Sequence, residues 1–143
     1  MEHAVRRLFE QYKRLFNQAL HGQADLDALT ALYAPEMIGA APAGVRTAKN
    51  DDQFKAALAQ GYAQYRAIGT QEMRVRSLRV SKIDALHGMA QVGWSATYLR
   101  KDGTNVTIDF AVHYLVQMQD GAPKVFGWIS GDEQALLRQH GIN

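Results

Sequence analysis

Val5, Leu8, Phe9, Tyr12, Leu15, Phe16, Ala19 and Leu20 recur at steps of three and four, so they share one face of a helix, with Arg6, Arg7, Lys13 and Arg14 outside it. Gly22 supplies the stop. Asp25 can cap a second, shorter helix carrying Leu26, Leu29, Leu32 and Tyr33, which Pro35 ends. Met37-Ile38-Gly39-Ala40-Ala41 reads as a short strand closed by Pro42-Ala43-Gly44. Asn50-Asp51-Asp52-Gln53 has the form of a capping box, with Gln three residues after the capping side chain. It predicts a third helix that buries Phe54, Ala57, Leu58, Tyr62 and Tyr65 and ends at Gly69.

Beyond Gly69 the period changes from helical to alternating. Ala90, Val92, Trp94, Ala96 and Tyr98 alternate with Gln91, Gly93, Ser95 and Thr97. Val106, Ile108, Phe110, Val112, Tyr114, Val116 and Met118 share one face of the next strand, and Thr107, Asp109, Ala111, His113, Leu115, Gln117 and Gln119 share the other. Period two over so long a run predicts an antiparallel strand with one face in the core. Strands of this length coil, because sheets twist. His87-Gly88, Asp102-Gly103 and Asp120-Gly121 stand at hairpin positions. Phe126, Trp128 and Ser130 belong to a last strand, and Ser130-Gly131-Asp132-Glu133 opens a short C-terminal helix.

Helices first and strands after predict an α+β class, with three N-terminal helices on one face of a curved, antiparallel sheet. The 143 residues suffice for one domain, 1–143, without a disulfide or metal staple. No cysteine is present, which removes thiol nucleophiles and thiolate metal sites and fits a reducing, cytoplasmic setting. The start of the chain lacks the apolar core of a signal peptide, and no run is long enough for a membrane helix. The pI is about 9.0, but Lys and Arg are dispersed. The densest basic group, Arg74, Arg76, Arg79 and Lys82, is read as a solvated strand edge and not as a nucleic-acid surface.

The order helix, helix, short strand, helix, curled sheet resembles the nuclear-transport-factor-2-like group, which has a cystatin-like, cone-shaped sheet and includes ketosteroid isomerases, scytalone dehydratases, limonene epoxide hydrolases and SnoaL-like cyclases. The stretch from Asp25 to Glu36 is similar to the group's second helix and its entry to the first strand, and Gln119-Asp120-Gly121 through Lys124-Val125 to its last hairpin. The resemblance implies helices on the concave sheet face and a pocket inside the cone. It names no reaction. Ketosteroid isomerases place a tyrosine about where Phe16 stands, an aspartate near Ala41, and a protonated aspartate near Val112 or Tyr114; that set is absent here.

Candidate chemistry is therefore sparse. There is no phosphate loop, paired-histidine zinc motif or calcium loop, so no metal or cofactor is expected. His113 and Asp109 share a face of the long strand, about 13 Å apart at 3.3 Å per residue, too far for a hydrogen bond. Either His113 is a general acid or base, or it lies on the outer sheet face, in a subunit contact. Carboxylates near a pocket rim are Glu36, Asp109, Asp132 and Glu133, of which the last two are read as caps of the final helix.

The aromatic side chains are more informative. A core made only for stability favours Leu, Ile and Val, whereas each Trp or Tyr brings a polar atom that needs a partner. Tyr33, Met37, Tyr62, Trp94, Tyr98, Tyr114 and Trp128 are the expected wall of a pocket for a small hydrophobic or aromatic molecule. A cofactor-independent lyase, isomerase or hydrolase using His113, Asp109 or a tyrosine is the alternative. The opposite sheet face, with Gly93, Ser95, Thr97, Ala111, His113 and Leu115, is flat and mixed, and is the expected surface of a homodimer.

Overall fold

The computed structural model describes residues 1–142. Its elements are α1 (Glu2–Leu20), α2 (Leu26–Thr30), β1 (Tyr33–Ala41), β2 (Gly44–Lys49), α3 (Asp52–Ala67), β3 (Thr70–Lys82), β4 (His87–Leu99), β5 (Asn105–Gln119), β6 (Ala122–Ser130) and α4 (Glu133–Gln139). The six strands form one curved sheet in the order β2-β1-β6-β5-β4-β3, with two free edges and no closure into a barrel. All neighbouring strands are antiparallel except β1 and β6, which run parallel. Among the described residues no helix is long and apolar enough to cross a membrane.

The apolar stripe of α1 buries Val5, Leu8, Phe9, Leu15, Phe16, Ala19 and Leu20, and the helix packs on β3 and β6, with α3 alongside. One polar residue fixes its position. Asn17 donates from Nδ2 to the Met73 carbonyl and accepts from the Met73 N–H, both at 2.9 Å, so it extends the edge of β3 as a strand would. Arg66 ties α3 to the same helix through the Ala19 carbonyl at 2.7 Å.

The core faces of β4 and β5 follow the alternation read from the sequence. Ala90, Val92, Trp94, Ala96 and Tyr98 are buried, as are Ile108, Val112, Tyr114 and Val116. Register shifts between Val75 and Ser77 on β3, and between Leu115 and Val116 on β5, mark where the ladder bulges and the sheet bends. Asp120 and Gly121 both have positive φ, 51° and 79°, which is the backbone a tight hairpin requires. On the edge strand β3, Arg74, Arg79 and Lys82 are solvent-exposed, as expected of charged residues that discourage pairing with another sheet.

Four local expectations change. The second helix stops at Thr30, and Tyr33 opens β1, because β1 pairs with β6 from Tyr33↔Val125 onward. Pro35 sits inside that strand, where the register shifts between Tyr33 and Ile38 and no ladder N–H is required. The segment after Pro42 is the strand β2, paired with β1 from Glu36↔Lys49 to Ala41↔Gly44. His87-Gly88 is the start of β4 and not its turn; the turn precedes it, and Asp84 Oδ1 accepts from the Leu86 and His87 N–H groups. Asn50 is not the cap of α3. Asp51 is, accepting from the Phe54 N–H at 3.0 Å, while Asn50 donates to the Thr30 carbonyl at 2.8 Å.

Candidate functional site

Inside the curve of the sheet lies a chamber of about 170 Å³, lined by Tyr12 and Phe16 of α1, Tyr33 of β1, Tyr65 of α3, Met73, Trp94, Phe110, Val112, Tyr114, Trp128, Ser130 and Glu133. Alternation on β4 and β5 brings Trp94 and Tyr114 inward, and α1 places Tyr12 above them. The Trp94 indole N–H donates to the Tyr114 hydroxyl at 3.1 Å. The Tyr12 ring stands 5.6 Å from Trp94 and 6.1 Å from Tyr114. Trp128 and Tyr33 meet edge to face at 6.0 Å. Gly39 makes room for Trp128: a Cβ there would lie 2.8 Å from the indole nitrogen.

A second cleft of about 390 Å³ lies under α4, lined by residues of α3, by Tyr98, Ile108 and Phe110 of the sheet, and by Leu136, Leu137 and Arg138. Tyr65, Phe110 and Glu133 line both spaces. Glu133 therefore stands between chamber and cleft. Asp132 caps α4 by accepting from the Ala135 N–H at 2.9 Å, so Glu133 is freed from capping.

Burial sets the protonation states. It pushes the hydroxyls of Tyr33 and Tyr114 well above the usual phenol range, and that of Tyr12 up as well. These phenols stay neutral and can donate or accept hydrogen bonds, but they are not bases. Burial also pushes the Glu133 carboxyl up, favouring its neutral form. Tyr98, at the cleft, is pushed up to about 12 by the same cause. Among the described residues, Thr70 Oγ1 is the one fully buried side-chain polar atom with no partner, so the tyrosine hydroxyls are not sealed into apolar packing. No three His, Cys, Asp or Glu among the described residues are grouped to hold a metal ion.

The structure brings Tyr33, Trp94, Tyr114 and Trp128 together around the chamber. Tyr98 belongs to the outer cleft. Met37 is buried and faces a separate groove between the β1–β2 hairpin and α3. Tyr62 stands behind the wall, 4.9 Å from Phe16 and edge-on to it. His113 pairs with Gln91 and Ile129 on the outer sheet face, away from the chamber. Asp109 lies on that face too, 3.6 Å from Arg76. Two chamber residues have a different place from the one the sequence suggested: Tyr12, read as part of the apolar stripe of the first helix, is in the wall, and Glu133, read as a rim carboxylate that caps the final helix, lines the chamber while Asp132 makes the cap.

Solved structures with the same fold include an NTF2-like protein with a cystatin-like fold from Novosphingobium aromaticivorans (18% identity, 95% of this chain and 88% of that one, TM-score 0.69). Another is an NTF-2 like protein of unknown function from Shewanella oneidensis MR-1 (17% identity, 92% and 98%, TM-score 0.67). A ketosteroid isomerase-like protein from Erwinia carotovora atroseptica is similar as well (16% identity, 90% and 92%, TM-score 0.63). No curated protein matches the sequence. The family model described as NTF2-like protein (DUF6841) matches residues 2–133, and the chain belongs to that family.

Proposed function

We propose that this protein binds a small, mainly apolar or aromatic molecule in the chamber between α1 and the sheet. The observation that carries this reading is the chamber's wall: aromatic rings with polar tips around about 170 Å³ of space, continued through shared residues into the cleft under α4. An apolar cavity of about 150 Å³ is enough for a benzene ring. A few convergent polar groups in an aromatic wall are what orient such a ligand. The chain is further proposed to pair as a homodimer through its outer sheet face.

Ligand-induced stabilisation tests the reading. A panel of small aromatic and terpenoid compounds is screened by thermal shift. A true ligand at a hundred times its dissociation constant stabilises the protein by about 2.7 kcal/mol. Trp128→Ala, which opens one wall, should abolish that gain while circular dichroism shows the variant folded. No shift with any compound would leave the chamber a structural feature only.

One observation favours a second reading, a cofactor-independent lyase, isomerase or hydrolase. Glu133 is an ionisable carboxyl at a buried aromatic site, with burial raising its pKa toward the range useful for proton transfer. His113 and Asp109 lie across the sheet from it, so proton transfer in the chamber would fall to Glu133. Turnover of a bound compound that Glu133→Gln abolishes without loss of binding would establish this reading.

A further inference from the structure

We propose that the ligand carries a positive charge: the chamber is a cage for a small alkylated ammonium group, held between aromatic faces and the Glu133 carboxylate. This rests on reading the chamber as a ligand site and adds the ligand's chemical class.

Glu133 lines the chamber, and no Lys, Arg or His does. The ion pairs of the described residues lie elsewhere, on Glu2, Glu10, Asp27, Glu72, Asp84 and Asp109. Arg138 lines the outer cleft with Glu133 but forms no ion pair with it. Glu133 is thus a half-buried carboxyl with no cationic partner among the described residues, and partial burial makes its carboxylate costly until a cation arrives.

The rest of the wall agrees. Tyr12, Tyr33, Trp94, Tyr114 and Trp128 gather five aromatic rings around the chamber, and the face of such a ring is the negative side of its quadrupole. Several such faces around one point attract an organic cation, most of all one whose methyl groups replace its hydrogen-bonding protons. The Trp94 N–H is already spent on Tyr114, so it is not free to receive an anion. An anionic ligand would meet the Glu133 carboxyl, with no Lys, Arg or His in the lining to balance it. A volume of about 170 Å³ admits a trimethylammonium head, and the cleft beyond Glu133 has room for an attached chain.

Calorimetry on the full chain tests this with three probes: choline, the uncharged alcohol in which a quaternary carbon replaces choline's nitrogen, and phenol. The two alcohols share shape and differ in charge. Choline should bind at least about tenfold more tightly than its carbon isostere, a difference of about 1.4 kcal/mol. Glu133→Gln, which keeps size and removes charge, should erase most of that difference and leave the isostere's affinity unchanged. Equal binding of the two alcohols, or choline binding untouched by Glu133→Gln, overturns the proposal. Binding of phenol alone also overturns it, while the chamber remains a site for neutral molecules. Failure of all three probes, together with a blank thermal-shift panel, removes both readings.

Discussion

Trp94 and Tyr114 show how one hydrogen bond couples packing to the site. The indole N–H is buried and has the Tyr114 hydroxyl as its partner. Tyr114→Phe keeps the ring and removes the acceptor. Leaving a buried donor unpaired costs about 1–3 kcal/mol, and urea denaturation should register a loss in that range. A loss near zero would mean that chamber water takes over the bond. Glu133 makes a prediction of opposite sign. Its folded-state pKa lies above the unfolded value, so its contribution to stability is fully present below the ordinary carboxylate pKa. That contribution is lost as pH rises through the raised one. Glu133→Gln removes the titration, so the ligand-free variant should gain stability over the wild type increasingly as pH climbs through that window. A pH-independent difference would show that Glu133 is solvated in the folded protein. The two residues also differ in how far the sequence exposed them. Trp94 and Tyr114 sit in alternating runs whose inward face is plain. Glu133 follows a good cap residue, and only the path of the chain from β6 shows that it turns inward.

At the scale of elements, two glycines separate space from backbone. Gly39 lies beneath Trp128, and a Cβ there would stand 2.8–3.0 Å from three atoms of the indole. Gly39→Ala should therefore displace the Trp128 ring and cost about 1–3 kcal/mol, as overpacking does. Tryptophan fluorescence should change with it, since one of the chain's two indoles moves. Gly61 lies in the middle of α3, and a Cβ there meets nothing within 4 Å. Gly61→Ala should raise stability by about 0.5–1 kcal/mol through helix propensity alone. The pair is measured by chemical denaturation, and the same sign for both would undo the close packing of the Trp128 indole of β6 over Gly39 of β1. The helices α1 and α3 and the strands β4 and β5 were legible because each carries a long periodic pattern. The strand β2 was not. Its residues are mostly exposed and have no apolar alternation, so only pairing with β1 makes it a strand. The parallel contact of β1 with β6 is equally a tertiary fact, and it overrides what Pro35 implies locally.

At the scale of the whole molecule, helices-then-strands order gave the layering, but not the extent of the surface left over once the helices cover the concave side. The outer face differs from the sequence-based picture in one respect. Gly93 and Ser95 are covered within the chain; Ser77 and Arg76 crowd over Gly93. The open part lies further along, over β5, β6 and β1. There Ile38 and Ile129 are 40% and 49% exposed, and Ile38 and Leu115 close over Gly127, each 3.0 Å from where its Cβ would be. Ala111 and His113 lie beside this ridge on β5, while Asp109 and Arg76 already neutralise one another at its margin. A two-fold copy can set its ridge against the small residues of the first, so that each patch serves as the other's partner. Such a contact would cover the exposed isoleucines and bring His113 near its own copy. Sedimentation should give about twice the 15.9 kDa chain mass at micromolar concentration. Leu115→Arg places like charges face to face across the axis and should yield monomer. Thr97→Arg, nearer the covered part of the face, should weaken the dimer less. Both variants should keep the wild-type circular dichroism spectrum, because neither side chain points into the chamber. A wild-type monomer, or a dimer that ignores both arginines, would leave the outer face without this role.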